Sequence, residues 1–153
     1  MIRTQRNMRL CLTLLVCNLI FIWGNSLLPG EISGRLSDFV KELLSLLLPG
    51  GEDDGVGGGL LRKLAHFTEF AALGALLSWL FAMLQKGKCL PFLCGAAAAC
   101  IDETIQMFVP DRGPGIKDVL IDCSGVATGM LLLFWGHHLY KTHYNKHLEE
   151  TPL

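Results

Sequence analysis

At 153 residues, 51% of them hydrophobic and with a mean hydropathy of +0.42, the chain is too apolar for an ordinary water-soluble domain. It has no room for a second folded domain and no internal repeat, so residues 1–153 read as a single unit. The net charge of −1 by itself says nothing about partners, and no nucleic-acid partner is expected.

Four apolar stretches approach the roughly 20 residues that a membrane-spanning helix needs: 10–28, 61–84, 89–109 and 117–140. The expected fold is therefore all-α, a four-helix transmembrane bundle. The basic segment Met1–Arg9 precedes the first span and is expected to stay cytoplasmic. It also resembles the start of a secretory signal, but Gly24-Asn25-Ser26-Leu27 offers no small-x-small cleavage pattern. A retained helix ending near Pro29-Gly30 is expected.

Residues 33–48 are shorter than a span and amphipathic. Leu36, Phe39, Val40, Leu43, Leu44 and Leu47 can share one face, with Arg35, Asp38, Lys41 and Glu42 largely outside it. This predicts an interfacial helix on the extracytoplasmic side, between the first two spans. Pro49 to Gly59 is Gly-rich and acidic, and reads as a flexible linker; it lacks the Gly-Lys-Ser/Thr pattern of a phosphate loop.

The second span opens with Arg62-Lys63-Leu64-Ala65-His66-Phe67-Thr68-Glu69. At three-residue spacing Lys63, His66 and Glu69 fall about 60° apart and share one helix face. The third span carries Gly95-Ala96-Ala97-Ala98-Ala99, small enough for close helix approach, and turns polar at Asp102-Glu103 and Gln106. Asp111 to Gly115 is turn-like, with Arg112 inside it. The fourth span begins with Lys117-Asp118 and carries Asp122 one turn later, followed by Gly125 and Gly129 on the same stripe. The six cysteines form no Cys-x-x-Cys pair and read as small apolar fillers.

With both termini inside, the cytoplasmic segments hold seven basic against two acidic residues, and the remainder six basic against twelve acidic. The Lys/Arg majority itself is slim, seven against six, but four of the outer six lie in or beside the polar motifs, which favours the inside-terminus topology. It brings the polar ends of the last three spans to one membrane face. Glu69 then lies about 10 Å below Arg62, Asp102 about 12 Å below Pro110 and Asp122 about 8 Å below Lys117. The expected result is an outward-facing cavity lined by Lys63, His66, Glu69, Asp102, Glu103, Gln106, Arg112, Lys117, Asp118 and Asp122. A plainer reading has these groups as interfacial anchors and ion pairs that lock the bundle, although so many buried polar groups cost stability.

Three chemistries fit such a cavity. It can recognise a lipid or cell-wall head group, with Lys63, Arg112 and Lys117 meeting phosphate or carboxylate. His66, Glu69, Asp102 and Glu103 can act as acid–base groups of a hydrolase or transferase working on a lipid-linked substrate. Ser124 and Cys123 are then lone candidate nucleophiles. Lastly, His66 and the carboxylates can ligate a divalent cation, although no second histidine joins them. Binding without a cofactor is the expectation, because no activated nucleophile stands at a recognisable spacing.

Three motifs resemble one known family. Lys63-Leu64-Ala65-His66-Phe67-Thr68-Glu69-Phe70-Ala71-Ala72-Leu73-Gly74 resembles the Lys-x-x-His-Phe-x-Glu-Phe-x-x-Leu-Gly signature of VanZ-like proteins. Asp102-Glu103-Thr104-Ile105-Gln106-Met107-Phe108-Val109-Pro110-Asp111-Arg112 is similar to its Asp-Glu-x-x-Gln-x-Phe-x-Pro-x-Arg element. Asp118 to Gly125 matches the Asp-x-x-x-Asn/Asp-x-x-Gly element, with Asp122 where Asn is more usual. The resemblance implies a multi-pass protein of the bacterial plasma membrane, in a group named for low-level teicoplanin resistance. Its implied partners are membrane lipids and a lipid-linked wall precursor or lipoglycopeptide at the outer surface.

Overall fold

The computed structural model describes residues 2–47, 58–113 and 115–149. Over these the chain is all-helical: α1 (Ile2–Ser26), α2 (Gly30–Leu47), α3 (Gly58–Met83), α4 (Leu90–Gln106) and α5 (Ile116–Glu149). Three helices contain segments long and apolar enough to cross a membrane, at Thr4–Ser26, Leu60–Met83 and Ile116–His143. The fourth expected segment, 89–109, forms α4 of 17 residues, about 25 Å long. It stops at Gln106 because Met107 to Asp111 folds into turns, with Asp111 in the left-handed region at φ 58.

Helix ends and apolar ends do not coincide, for a simple reason. Hydropathy marks where hydrocarbon would end, whereas a helix stops where a breaker or a cap stops it. α1 starts within the basic segment at Ile2, and α5 continues past Tyr140 to Glu149 because no Gly or Pro interrupts 137–149. α3 begins at Gly58, so Gly58 and Gly59 of the expected linker are helical. The remaining linker, Pro49 to Gly57, lies outside the described residues, as do Pro114 and Glu150. So do the side chains of Leu36, Lys41, Leu43, Leu44, Leu47, Lys146 and Glu149. The described apolar side chains of α2, Ile32, Phe39 and Val40, are exposed, as are the charged Glu31, Arg35, Asp38 and Glu42.

The apolar core joins Ile22 of α1, Phe70, Leu73 and Leu77 of α3, Ala98 and Ala99 of α4, and Val126 of α5. α3 and α5 share the most extensive packing. Their approach depends on three glycines, among them Gly125, where a Cβ would overlap the Phe67 carbonyl. A Cβ on Gly74 would overlap the Val126 backbone, and one on Gly129 would overlap the Ala71 carbonyl. Around this core the sides of the bundle expose large apolar residues, among them Ile20 and Phe21 on α1 and Leu131, Leu132, Phe134 and Trp135 on α5. The interior meanwhile holds Ser26, Asp102, Glu103, Gln106, Arg112 and Asp122. That inversion of the usual soluble pattern suits a bundle whose lateral solvent is hydrocarbon. All six cysteines are free thiols.

The glycine contacts predict a graded response to substitution. Gly129→Leu should destabilise the detergent-solubilised protein by about 1–3 kcal/mol through overpacking. Gly136→Ala, where a Cβ meets open space, should be neutral or stabilising by up to about 1 kcal/mol. Thermal unfolding followed by circular dichroism checks both.

Candidate functional site

The polar residues gather at the bundle end where α1 and α4 finish and where α3 and α5 begin. At its centre is Asp102, fully buried on α4. Ser26 Oγ, the last residue of α1, donates to Asp102 Oδ1 at 2.6 Å. Gln106 Nε2, one turn further along α4, donates to Oδ2 at 2.8 Å. His66 of α3 brings its Nδ1 to 3.8 Å from Asp102 Oδ2 and 3.9 Å from Asp122 Oδ1 on α5. Asp122 is equally buried, yet neither of its carboxylate oxygens accepts a hydrogen bond. Ionising a buried carboxyl group so poorly answered would cost several kcal/mol.

The other expected residues divide by direction. Glu69 turns to α1, where its Oε1 accepts a hydrogen bond from Asn25 Nδ2 at 2.9 Å and its Oε2 has no hydrogen-bond partner. Glu103 reaches the loop before α5, where its Oε2 accepts from the Gly115 N–H at 2.9 Å. Arg112 is buried and caps the end of α1, with Nε donating to Leu28 O at 3.2 Å and Nη2 to Asn25 O at 3.0 Å. Burial, reinforced by the nearby Arg62 guanidinium, lowers the Arg112 pKa from the ordinary arginine value, while Asp102, Glu103 and Glu69 oppose the shift. The group stays charged. Lys63 and Lys117 are exposed, and Asp118 is half-buried.

A cleft between α3, α4 and α5 is lined by Arg62, Lys63, His66, Glu103, Gln106, Asp118, Ile121 and Asp122. Its interior has room for about one water-sized sphere, ≈ 10 Å³. Seven of the ten expected binding residues therefore form the cleft or its floor, counting Asp102 behind His66. Glu69, Arg112 and Lys117 do not line it. The lone nucleophile candidates are also elsewhere. Ser124 is exposed and donates to Ile121 O at 2.6 Å, and Cys123 packs against the apolar core.

Three participants were not among the expected residues: Asn25 and Ser26 of α1, and Arg62 at the mouth. A signal for the first exists in the chain. Asn18 and Asn25 are two helical turns apart in an otherwise apolar run, and Asn18 Nδ2 also reaches Glu69 O at 3.5 Å.

Ser26→Ala should therefore destabilise the protein by about 1.5–3 kcal/mol, because it strips a buried carboxylate of a donor. Ser124→Ala, which removes only a local bond to an exposed turn, should stay within about 0.5 kcal/mol of wild type. Parallel thermal melts in one detergent compare them directly.

A family model described as VanZ/LLP1 matches residues 10–137. No curated protein and no solved structure matches the chain. The matched stretch spans most of the chain and contains every member of the polar cluster, from Asn25 to Asp122. With three long apolar helices around a buried polar end, this is a membrane protein of VanZ-like type, and the chain belongs to the VanZ/LLP1 family.

Proposed function

We propose that the protein is a four-span component of the bacterial plasma membrane that binds the charged head group of an amphiphile at the outer surface. The amphiphile is a lipid, a lipid-linked cell-wall precursor or a lipoglycopeptide, and its capture contributes to glycopeptide resistance of the teicoplanin type. In this reading α4 is the third span, both termini are cytoplasmic and α2 lies along the outer surface. At about 25 Å, α4 falls slightly short of a roughly 30 Å hydrocarbon core, a mismatch that local thinning of the bilayer accommodates.

The observation that carries the reading is the cleft between α3, α4 and α5, with Arg62 and Lys63 among its lining and acids behind them. Its small interior admits a single small group, so the amphiphile's bulk stays outside and its head group meets the mouth. Exposed Met107, Phe108, Ile116 and Leu120 adjoin the polar residues in sequence and offer apolar surface to an acyl chain. The mixture of cationic lining residues and deeper carboxylates supports selection of a head group that carries phosphate beside amines or hydroxyls.

Two measurements test this. In a cysteine-free background, Gly113→Cys should be labelled on intact cells by an impermeant maleimide, and Gly87→Cys only after lysis. Purified protein in nanodiscs or detergent is then titrated with phosphatidylglycerol, a soluble lipid-linked precursor analogue and teicoplanin. Paired Arg62→Ala and Lys63→Ala changes should weaken the preferred ligand about tenfold, or 1.4 kcal/mol. Undiminished affinity in that double variant would overturn the head-group reading.

A further inference from the structure

We propose that His66, Asp102 and Asp122 hold one first-row divalent cation of the Zn²⁺ or Mn²⁺ class. One atom from each residue, an imidazole nitrogen and two carboxylate oxygens, lies within 4.8 Å of the others. The His66 Nδ1 distances to Asp102 Oδ2 and Asp122 Oδ1, 3.8 and 3.9 Å, are too long for hydrogen bonds. They are close to the spacing of atoms that share an ion. Ligands about 2.1 Å from a zinc-like centre at tetrahedral or wider angles stand roughly 3.4–3.6 Å apart. The two His66 separations exceed this by a few tenths of an ångström.

Asp122 is the second and independent observation. Its side chain is 1% exposed, its Oδ1 points at His66, and neither oxygen accepts a hydrogen bond. A buried carboxylate left in this condition calls for a cation. Asp102, by contrast, is held by Ser26 and Gln106 as outer-shell donors hold a ligating carboxylate, with lone pairs to spare. The cleft reaches both His66 and Asp122 and has room for about one water-sized sphere, which provides an entry path and an open coordination position.

The donor set narrows the ion. One imidazole with two carboxylates suits Zn²⁺ or Mn²⁺, whereas Ca²⁺ takes six to eight oxygens and Mg²⁺ an octahedron of oxygens. Metal binding here requires no amphiphile, so it stands or falls separately from the head-group reading.

The full-length protein, purified without a polyhistidine tag and stripped with chelator, is titrated in detergent with Zn²⁺ and with Mn²⁺. Binding of one equivalent is expected, weakened at least tenfold by Asp122→Asn and by Asp102→Asn. Paired His137→Gln and His138→Gln changes, on the exposed end of α5, should leave affinity unchanged. Pulsed electron paramagnetic resonance of the Mn²⁺-loaded wild type should show coupling to one imidazole nitrogen, lost in His66→Gln. If the aspartate variants fail to fold, the wild-type spectrum decides. Absence of stoichiometric binding, unchanged affinity in folded Asp122→Asn, or no nitrogen coupling would each overturn the site.

Discussion

Burial of the Asp102 carboxylate constrains everything around it. A charge placed between helices in an apolar surrounding has to be answered locally by protein groups. Its answers come from Ser26 at the end of α1 and Gln106 on α4, with His66 of α3 and Asp122 of α5 beside them. α1, α3, α4 and α5 thus each place a polar group at a set height along the bundle. Sliding α1 by one turn would leave Asp102 without its shortest hydrogen bond and Glu69 without Asn25. The polar end fixes register in a way that interchangeable apolar contacts along the sides do not.

Tight packing away from this end makes the arrangement affordable. Gly74 and Gly129 let α3 and α5 approach so closely that a methyl group at either position would overlap the facing backbone. Gly95 makes room for Val126 in the same layer. Close backbones compensate with dispersion for what the polar end costs in desolvation. Arg112 closes the structure by donating to the Leu28 carbonyl just past α1 and to the Asn25 carbonyl, which also accepts from the Leu28 N–H. It ties the α4–α5 loop to α1 through Nε and Nη2, while its buried Nη1 has no hydrogen-bond partner.

The size of the cleft shapes any function assigned to it. A space for one water-sized sphere cannot receive a sugar, a lipid tail or a peptide, so recognition of a large molecule happens at the mouth. Cations lie toward that mouth at Arg62 and Lys63, and carboxylates toward the base at Asp102 and Asp122. A metal ion seated on the carboxylates would lower the negative charge beneath an approaching anionic head group, so the two proposed roles are compatible without requiring each other.

Much of this was legible in the chain because it depends on local periodicity. Runs of apolar residues located the helices, and three- and four-residue spacing put Gly95, Ala99, Asp102 and Gln106 on one face, where all four are buried. The order of the polar motifs, together with antiparallel connections, brought them to one end. What periodicity leaves open is the neighbour each face meets. Glu69 shares an arc with His66 and Lys63, yet its side chain turns to Asn25 while His66 turns to two aspartates and Lys63 stays in solvent. Angles around a helix are set by the backbone, but helix rotation and side-chain rotamers are set by packing among residues far apart in sequence. For that reason the part played by α1, the separation of Glu69 from the cleft and the narrowness of the space beside Asp122 emerged only once all the helices were assembled.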